Sequence, residues 1–443
     1  MCSVPQVADA LHRVLHDRAN DVARTSGFVQ RTSKMTGALW VQMLVFTWLS
    51  KPQASLEEMA QTAAALGLHI SAQGIQQRFS QAAATLLQEV LEAALGAVVQ
   101  ASEGVTPLLA RFTGVYLFDS TVIALPDVLA SLWKGCGGRV EQGSAAALKV
   151  QVVLDLVRGR LQGVLQAGRA QDRNAPTQSW ELPKGALKIA DLGYFSVKVL
   201  AWLHQHGVYF VSRVQVGTHL AFDNEFLDLV VIGRLLRAQQ LVCVDVPIRL
   251  GAAMKLPCRL LAVRVPQQVA EERRRRLHFQ AARKWQPVSQ ARLQLADWNL
   301  YVTNGAVEAL SLDEALVLLR ARWQIELLFK LWKSQGEVDT WRSEQQWRVL
   351  CEVYAKLLAL VVQHWLFLVS CWRYADRSLL KASQTVARLA LALAASFSEL
   401  AALQAAIEVI VGCLEAGCRM NRRKKRPNTW QLLDNAPPLG GLG

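Results

Sequence analysis

The feature that most constrains this chain is a change of period at residue 114. Before it, residues 1–105 are rich in Ala, Leu and Gln, with few β-branched runs, and read as helical. After it come short apolar runs of strand type. GVYLFDS (114–120) is a strand ending in a carboxylate. LKVQVVLDLVRG (148–159) and LQGVLQAG (161–168) read as two strands joined by a tight turn at Gly159 and Arg160. ALKIADLGYFS (186–196) is a further strand ending in a carboxylate. SVKVLAWLHQHG (196–207) reads as a helix capped by Ser196 and closed by Gly207, and VYFVSRV (208–214) as another strand. Antiparallel strands followed by strands alternating with helices make a mixed α/β sheet.

Residues 215–297 break this rhythm with strand-like runs (LVCVDVPIRL, CRLLAVRV) and a basic helix or loop, EERRRRLHFQAARKW (271–285). The α/β pattern resumes at WNLYVTN (298–304), and one long helix is expected over about 311–335. The plan is therefore a helical region at 1–105, a core from 106–214 and 298–344, a β-rich insertion at 215–297, and a helical region with a basic tail at 345–443.

Lys and Arg number 49 against 35 acidic residues, a formal charge of +14, which favours a polyanionic partner. The apolar stretch 355–371 is interrupted by Gln363 and His364, and 387–414 contains Glu399 and Glu408. Both read as buried helices rather than membrane spans, which leaves nucleic acid as the polyanion. The eight cysteines form no C-x-x-C pair and read as free thiols of a reducing cytosol.

The helix VLLRARWQIELLFKLWKSQ (317–335) concentrates the chemistry. At ~100° per residue, with Arg322 at zero, Lys333 falls near ~20°, Glu326 near ~40° and Lys330 near ~80°. Four charges share one narrow stripe, and apolar side chains fill most of the remaining circumference, so the helix is expected to be largely buried. An i±4 ion pair of Glu326 with Arg322 and Lys330 explains the pairing but not two further cations. Asp119 and Asp191 each follow an apolar run at a strand end. Singly each is an ordinary turn or cap residue. With Glu326 they make three oxygen-donor carboxylates with no His or Cys cluster, a set that suits Mg²⁺ or Mn²⁺.

In the N-terminal region, SLEEMAQTAAALGLHISAQGIQQRFSQAA (55–83) reads as a helix opened by a Ser55/Glu58 capping box, a stop near Gly67, and a second helix from Ser71. That is the pattern of a helix-turn-helix, or of an ordinary helical hairpin. In the first reading Gln76, Gln77 and Arg78 face DNA, with side chains suited to adenine and guanine edges.

DST at 119–121, ADLGYF at 190–195 and R-x-x-x-E-x-x-x-x-x-x-K at 322–333 resemble the insertion-sequence-four type of DDE transposase, the family bearing the Y-R-E-K signature. The resemblance spans roughly 115–335, and the signature Tyr, three residues before Arg322, is Leu319 here. It implies a ribonuclease-H-like core with 215–297 as the family's β-rich insertion. It implies that Asp119, Asp191 and Glu326 bind two Mg²⁺ ions for cleavage at transposon ends and strand transfer. It implies that Arg322, Lys330 and Lys333 grip phosphates. Trp298 matches a position at which a Trp stacks on a flipped base, and core packing is the other reading of that residue. Expected partners are double-stranded DNA, both terminal inverted repeats and target, and a second copy of the chain. The expected setting is a bacterial-type cytoplasm near the nucleoid, without a membrane. A DNA-binding regulator without catalysis, or a nuclease that cuts without joining, are the alternatives.

Other residues fit less. The Arg273, Arg274, Arg275, Arg276 run suits phosphate contact or a solvated face, and the basic residues 419–426 suit non-specific DNA binding or disorder. His12 and His16 stand at i,i+4 without the Glu of H-E-x-x-H, which excludes a zinc-protease reading. His204 and His206 close a helix and interact with its last carbonyls. Asp155 shares a strand face with Lys149 and Gln151 and reads as solvated or paired.

Overall fold

The computed structural model describes residues 3–31, 33–101, 106–137, 144–222, 225–238, 242–283, 285–420 and 427–434. Lys284 and residues 421–426 of the basic run lie outside them. Among the described residues the strands are β1 (Val115–Leu125), β2 (Ala146–Asp155), β3 (Leu161–Ala167), β4 (Leu187–Ala190), β5 (Tyr209–Arg213), β6 (His219–Phe222), β7 (Glu225–Asp228), β8 (Cys243–Leu250), β9 (Leu256–Arg264) and β10 (Trp298–Thr303). They form one mixed sheet in the order β3-β2-β1-β4-β5-β10-β9-β8-β6-β7, with helices flanking it. The chain divides into two compact units, residues 1–106, 119–170 and 323–434, and residues 107–118, 171–322 and 435–443.

In the first unit the long helix Gln346–Leu368 is buried from Val349 onward. It packs on the helices Gln81–Gly96 and Gly37–Ser50. Each of its two polar interruptions finds a partner: Gln363 accepts from the Ser383 hydroxyl at 2.9 Å, and His364 Nε2 meets the Gly159 carbonyl at 2.6 Å, while His364 Nδ1 is buried without a hydrogen bond. Burial holds the His364 imidazole neutral, with its pKa lowered to about 4. β2 and β3 are antiparallel and meet at Leu154 and Leu161, as the sequence predicts. Gly159 supplies the left-handed turn (φ +68°) between them, and a Cβ there would lie 2.4 Å from Leu368 Cδ2. Asp155 ends β2 with only 2% exposure and accepts from the backbone N–H of Val157 at 3.0 Å. It is the paired Asp of the sequence reading, tied also to Arg158 at 3.5 Å. Burial raises its pKa against these bonds.

Two expectations change here. The stretch 387–414 is two helices, Leu379–Ala395 and Leu400–Gly417. The second is not a buried helix. Only Leu403, Ile407, Ile410 and Leu414 turn inward, a single stripe at helical spacing, while Leu400 and Val409 are exposed. β1 does not end at Asp119 but runs on to Leu125, because Thr121, Ile123 and Leu125 are buried while Val122 and Ala124 face out. That period of two keeps the strand going after its carboxylate.

In the second unit the first residues of β1 pair in parallel with β4, from Val115↔Leu187 to Phe118↔Ala190, and β4 pairs in parallel with β5. β10 lies antiparallel between β5 and β9, so the strands of 215–297 extend the same ladder. That segment also holds a helix, Leu229–Ala238, and its basic stretch is the helix Gln267–Arg283. The helix Val197–Gln205 begins after Ser196, whose side chain makes no capping bond. It closes with His206 Nδ1 at 2.7 Å from the Trp202 carbonyl, the expected role for that imidazole. The core gathers Phe210, Val302, Leu203 and Trp298. The seven described cysteines are free thiols.

Lys188 on β4 is a buried cation, 5% exposed, donating to Gln178 Oε1 with its ammonium 4.1 Å from the centre of the Phe118 ring. Burial outweighs the ring and lowers its pKa to about 7. Between that value and the unfolded value near 10.5 the unfolded chain binds the extra proton, so stability rises with pH across this window. Lys188→Met is expected to remove a dependence of roughly 3–5 kcal/mol, read as the difference between wild-type and variant urea midpoints at pH 7 and pH 10. Parallel pH profiles for the two proteins would contradict it.

Candidate active site

Asp119 sits in β1, half-buried, its Oδ1 accepting from the Ser120 N–H at 2.8 Å. Glu326 lies in the first turn of the helix Trp323–Ser334 and is also half-buried. Both belong to the first unit, where Lys333 Nζ donates to the Val122 carbonyl at 3.2 Å. One hydrogen bond therefore ties the Glu326 helix to the strand carrying Asp119, three residues beyond that carboxylate. In the second unit Asp191 directly follows β4, with extended backbone angles (φ −72°, ψ 166°), and its carbonyl accepts from the Tyr194 N–H at 3.0 Å. Phe118, the residue before Asp119, pairs in parallel with Ala190, the last residue of β4.

The expected single helix over 311–335 is instead two, Leu312–Ala321 and Trp323–Ser334. Arg322 between them keeps right-handed angles (φ −53°, ψ −30°), so the coil tightens there rather than unwinding. Nor is the second helix apolar all round. Ile325, Leu328, Phe329, Leu331 and Trp332 are buried, but Trp323 is 42% and Leu327 39% exposed. Trp323, Leu327 and Lys330 share an open face at helical spacing, and Lys330 Nζ stands 4.1 Å over the Trp323 ring. The residues of this aromatic platform stand in R-W-x-I-E-L-x-F-K, where the wheel places Leu327 in the apolar circumference and leaves Trp323 unassigned. Lys330 and Lys333 are exposed, and Leu319 is half-buried.

A sequence model of the transposase DDE domain matches residues 110–362. The chain belongs to the DDE transposase family. The match takes in Asp119, Asp191 and Glu326 alike. Among similar proteins are the transposase for insertion sequence element IS231E of Bacillus thuringiensis subsp. finitimus, 27% identical over 80% of this chain and 78% of its own. The transposase for insertion sequence element IS231F of Bacillus thuringiensis subsp. israelensis is 26% identical over 85% and 81%. The transposase for insertion sequence element IS1151 of Clostridium perfringens is 24% identical over 77% and 76%. This DDE transposase is a metal-dependent enzyme that cleaves and rejoins DNA.

The remaining candidates separate. Trp298 is 4% exposed and lies inside the core of the second unit. Arg273 is turned inward, donating to the carbonyls of Ala296 and Trp298 and to Asn299 Oδ1. Arg274 pairs with Asp297, and Arg276 with Glu272 one turn earlier. Arg275 is exposed. The run is thus divided by helical periodicity, two residues facing the sheet and two facing out.

The capping box of Ser55 and Glu58 forms as read, with bonds of 2.8 and 3.3 Å, and Ser71 caps the next helix. That second helix, Ala72–Gln76, has five residues, because Ser80 opens a new helix at Gln81. Gln76 bonds to Gln345 at 3.0 Å and to Arg348, both on or beside the long helix. Gln77 is exposed and Arg78 half-buried.

Proposed function

We propose that this chain moves an insertion sequence by cutting DNA at the element's terminal inverted repeats and joining the freed ends to a target. Asp119, Asp191 and Glu326 hold the divalent metal. The observation that carries this is the family match over all three carboxylates, supported by the Phe118↔Ala190 register and the Lys333 bond to Val122. An oxygen-only donor set fits a hard cation, and Mg²⁺ is the natural occupant, with Mn²⁺ as a substitute and two ions as the working number. Bound by these carboxylates, a divalent metal would supply Lewis-acid chemistry toward the scissile phosphate and toward the attacking water or 3′-OH. The protein's own part is positional. The exposed ammonium groups of Lys330 and Lys333 take phosphate oxygens, with Arg322 as a guanidinium fork. Trp323 steadies Lys330 from below. Two copies of the chain act together, since two ends must be held at once.

The test uses DNA carrying the inverted repeats that flank the coding gene. Full-length protein with Mg²⁺ should break the strands at those ends and join pre-cut ends to plasmid DNA. Specific binding with no nicking in Mg²⁺ or Mn²⁺ would make the chain a regulator. Nicking with no joining of pre-cut ends would make it a nuclease.

A further inference from the structure

The first helix of the chain is interrupted by a π-turn, Arg13–Arg18, between the helices Val4–His12 and Ala19–Thr25. In an ordinary α-helix residue i+5 points well away from residue i. A π-turn closes i→i+5, which returns the fifth residue beneath the first, and such turns recur where side chains must converge. Here it aligns His12, His16 and Asp17. The two rings stack with centroids 4.5 Å apart, and both Nδ1 atoms face the Asp17 carboxylate. His16 Nδ1 lies 2.9 Å from Oδ1, and His12 Nδ1 lies 3.6 Å from Oδ2. One ligand atom from each of the three residues falls within a 4.8 Å set.

We propose that His12, His16 and Asp17 form a binding site for a borderline transition-metal cation, with Zn²⁺ the best fit. Tetrahedral zinc with bonds of ~2.0–2.2 Å places neighbouring ligand atoms ~3.3 Å apart; here the two imidazole nitrogens each face a different oxygen of Asp17, at 2.9 Å and 3.6 Å, so a small movement of the side chains brings one oxygen and both nitrogens onto one ion. Two imidazoles with one carboxylate suit Zn²⁺, whereas the oxygen-only DDE set suits Mg²⁺. Water from solvent completes the shell, since His12 and His16 are half-buried and Asp17 is exposed. The neighbouring carboxylate, Asp9, is held by Arg13 at 3.1 Å and leaves the set at three. On binding, any proton on either Nδ1 goes to solvent and the ring keeps its hydrogen on Nε2. The ion cross-links positions i, i+4 and i+5 and fixes the π-turn, whose His12 ring lies against Phe397.

The test is calorimetric titration of the full-length protein with Zn²⁺ in excess Mg²⁺, which keeps the DDE carboxylates occupied. Wild type is expected to bind one more Zn²⁺ per chain than either His12→Gln or His16→Gln, and Asp17→Asn to weaken that site about tenfold. Zn²⁺ should raise the wild-type Tm and leave that of both His variants unmoved, while Mg²⁺-dependent DNA cleavage stays at the wild-type rate in all three variants. Equal Zn²⁺ stoichiometry in wild type and both His variants, or unchanged affinity in Asp17→Asn, would overturn the site. Each substitution is at a half-buried or exposed position, and circular dichroism confirms the fold of each variant.

Discussion

Glu326→Gln is expected to lower single-turnover cleavage of end DNA about 10³-fold or more while changing DNA affinity by only a few-fold. The amide keeps the size of the side chain but removes a negative charge and a metal ligand. Lewis-acid stabilisation of a phosphoryl transition state is worth several kcal/mol, and about 4 kcal/mol is already a factor of 10³ in rate. Binding should survive because the cations proposed to take phosphates, Lys330 and Lys333, are exposed on the same helix and are left unchanged. The helix itself should also survive. Glu326 is half-buried, and Ile325, Leu328, Phe329 and Trp332 anchor the buried side. Cleavage rate and gel-shift affinity measured on one DNA separate the roles. Loss of both together would mark Glu326 as structural, and cleavage within tenfold of wild type would remove it from the metal site.

What could be read in advance follows the range of the interactions concerned. The Ser55/Glu58 capping box, the β2–β3 turn and the carboxylate after Ala190 are written within a few residues of sequence, and each is in place. Side chains whose fate depends on distant partners were read less well. Trp298 carries the same local signal whether it stacks on a base or fills a core, and its burial comes from strands distant in sequence. Arg273 and Arg275 are two residues apart in one basic run, yet one supports the backbone of β10 and the other meets solvent. Leu327 belongs to the apolar circumference on a wheel drawn for one continuous helix, yet it is exposed, and the break at Arg322 is invisible to periodicity. The π-turn at Arg13–Arg18 was equally hidden, because the i,i+4 spacing of His12 and His16 carries no sign that Asp17 joins them.

Lys356→Met is expected to cost about 3–5 kcal/mol of local stability, and the reason lies in how completely this cation is used. Lys356 is 1% and Glu352 2% exposed, one turn apart on the long helix, with Nζ 3.0 Å from the carboxylate. The same ammonium donates to the carbonyls of Glu337 at 3.1 Å and Thr340 at 2.9 Å, so it holds two backbone acceptors besides facing the carboxylate. Methionine fills the space but strands a buried carboxylate and two carbonyls, and an unmet buried acceptor costs about 1–3 kcal/mol on its own. The double variant Glu352→Met, Lys356→Met should recover part of the loss, because the unpaired charge is gone while the carbonyls remain unmet. The loop so held follows directly on the Glu326 helix. It carries Glu337 at a left-handed φ of +43°, and it binds the N-terminal region through Gln53, which donates to Glu337 and to Thr340 Oγ1 at 2.9 Å. Hydrogen exchange in 346–368 and 335–342 reads the local loss directly. Protection equal to wild type in the single variant would show that Nζ is dispensable there. Cleavage by Lys356→Met should fall only as far as that loop loosens, and full restoration at low temperature would mark the pair as support for the exit of the Glu326 helix rather than part of its chemistry.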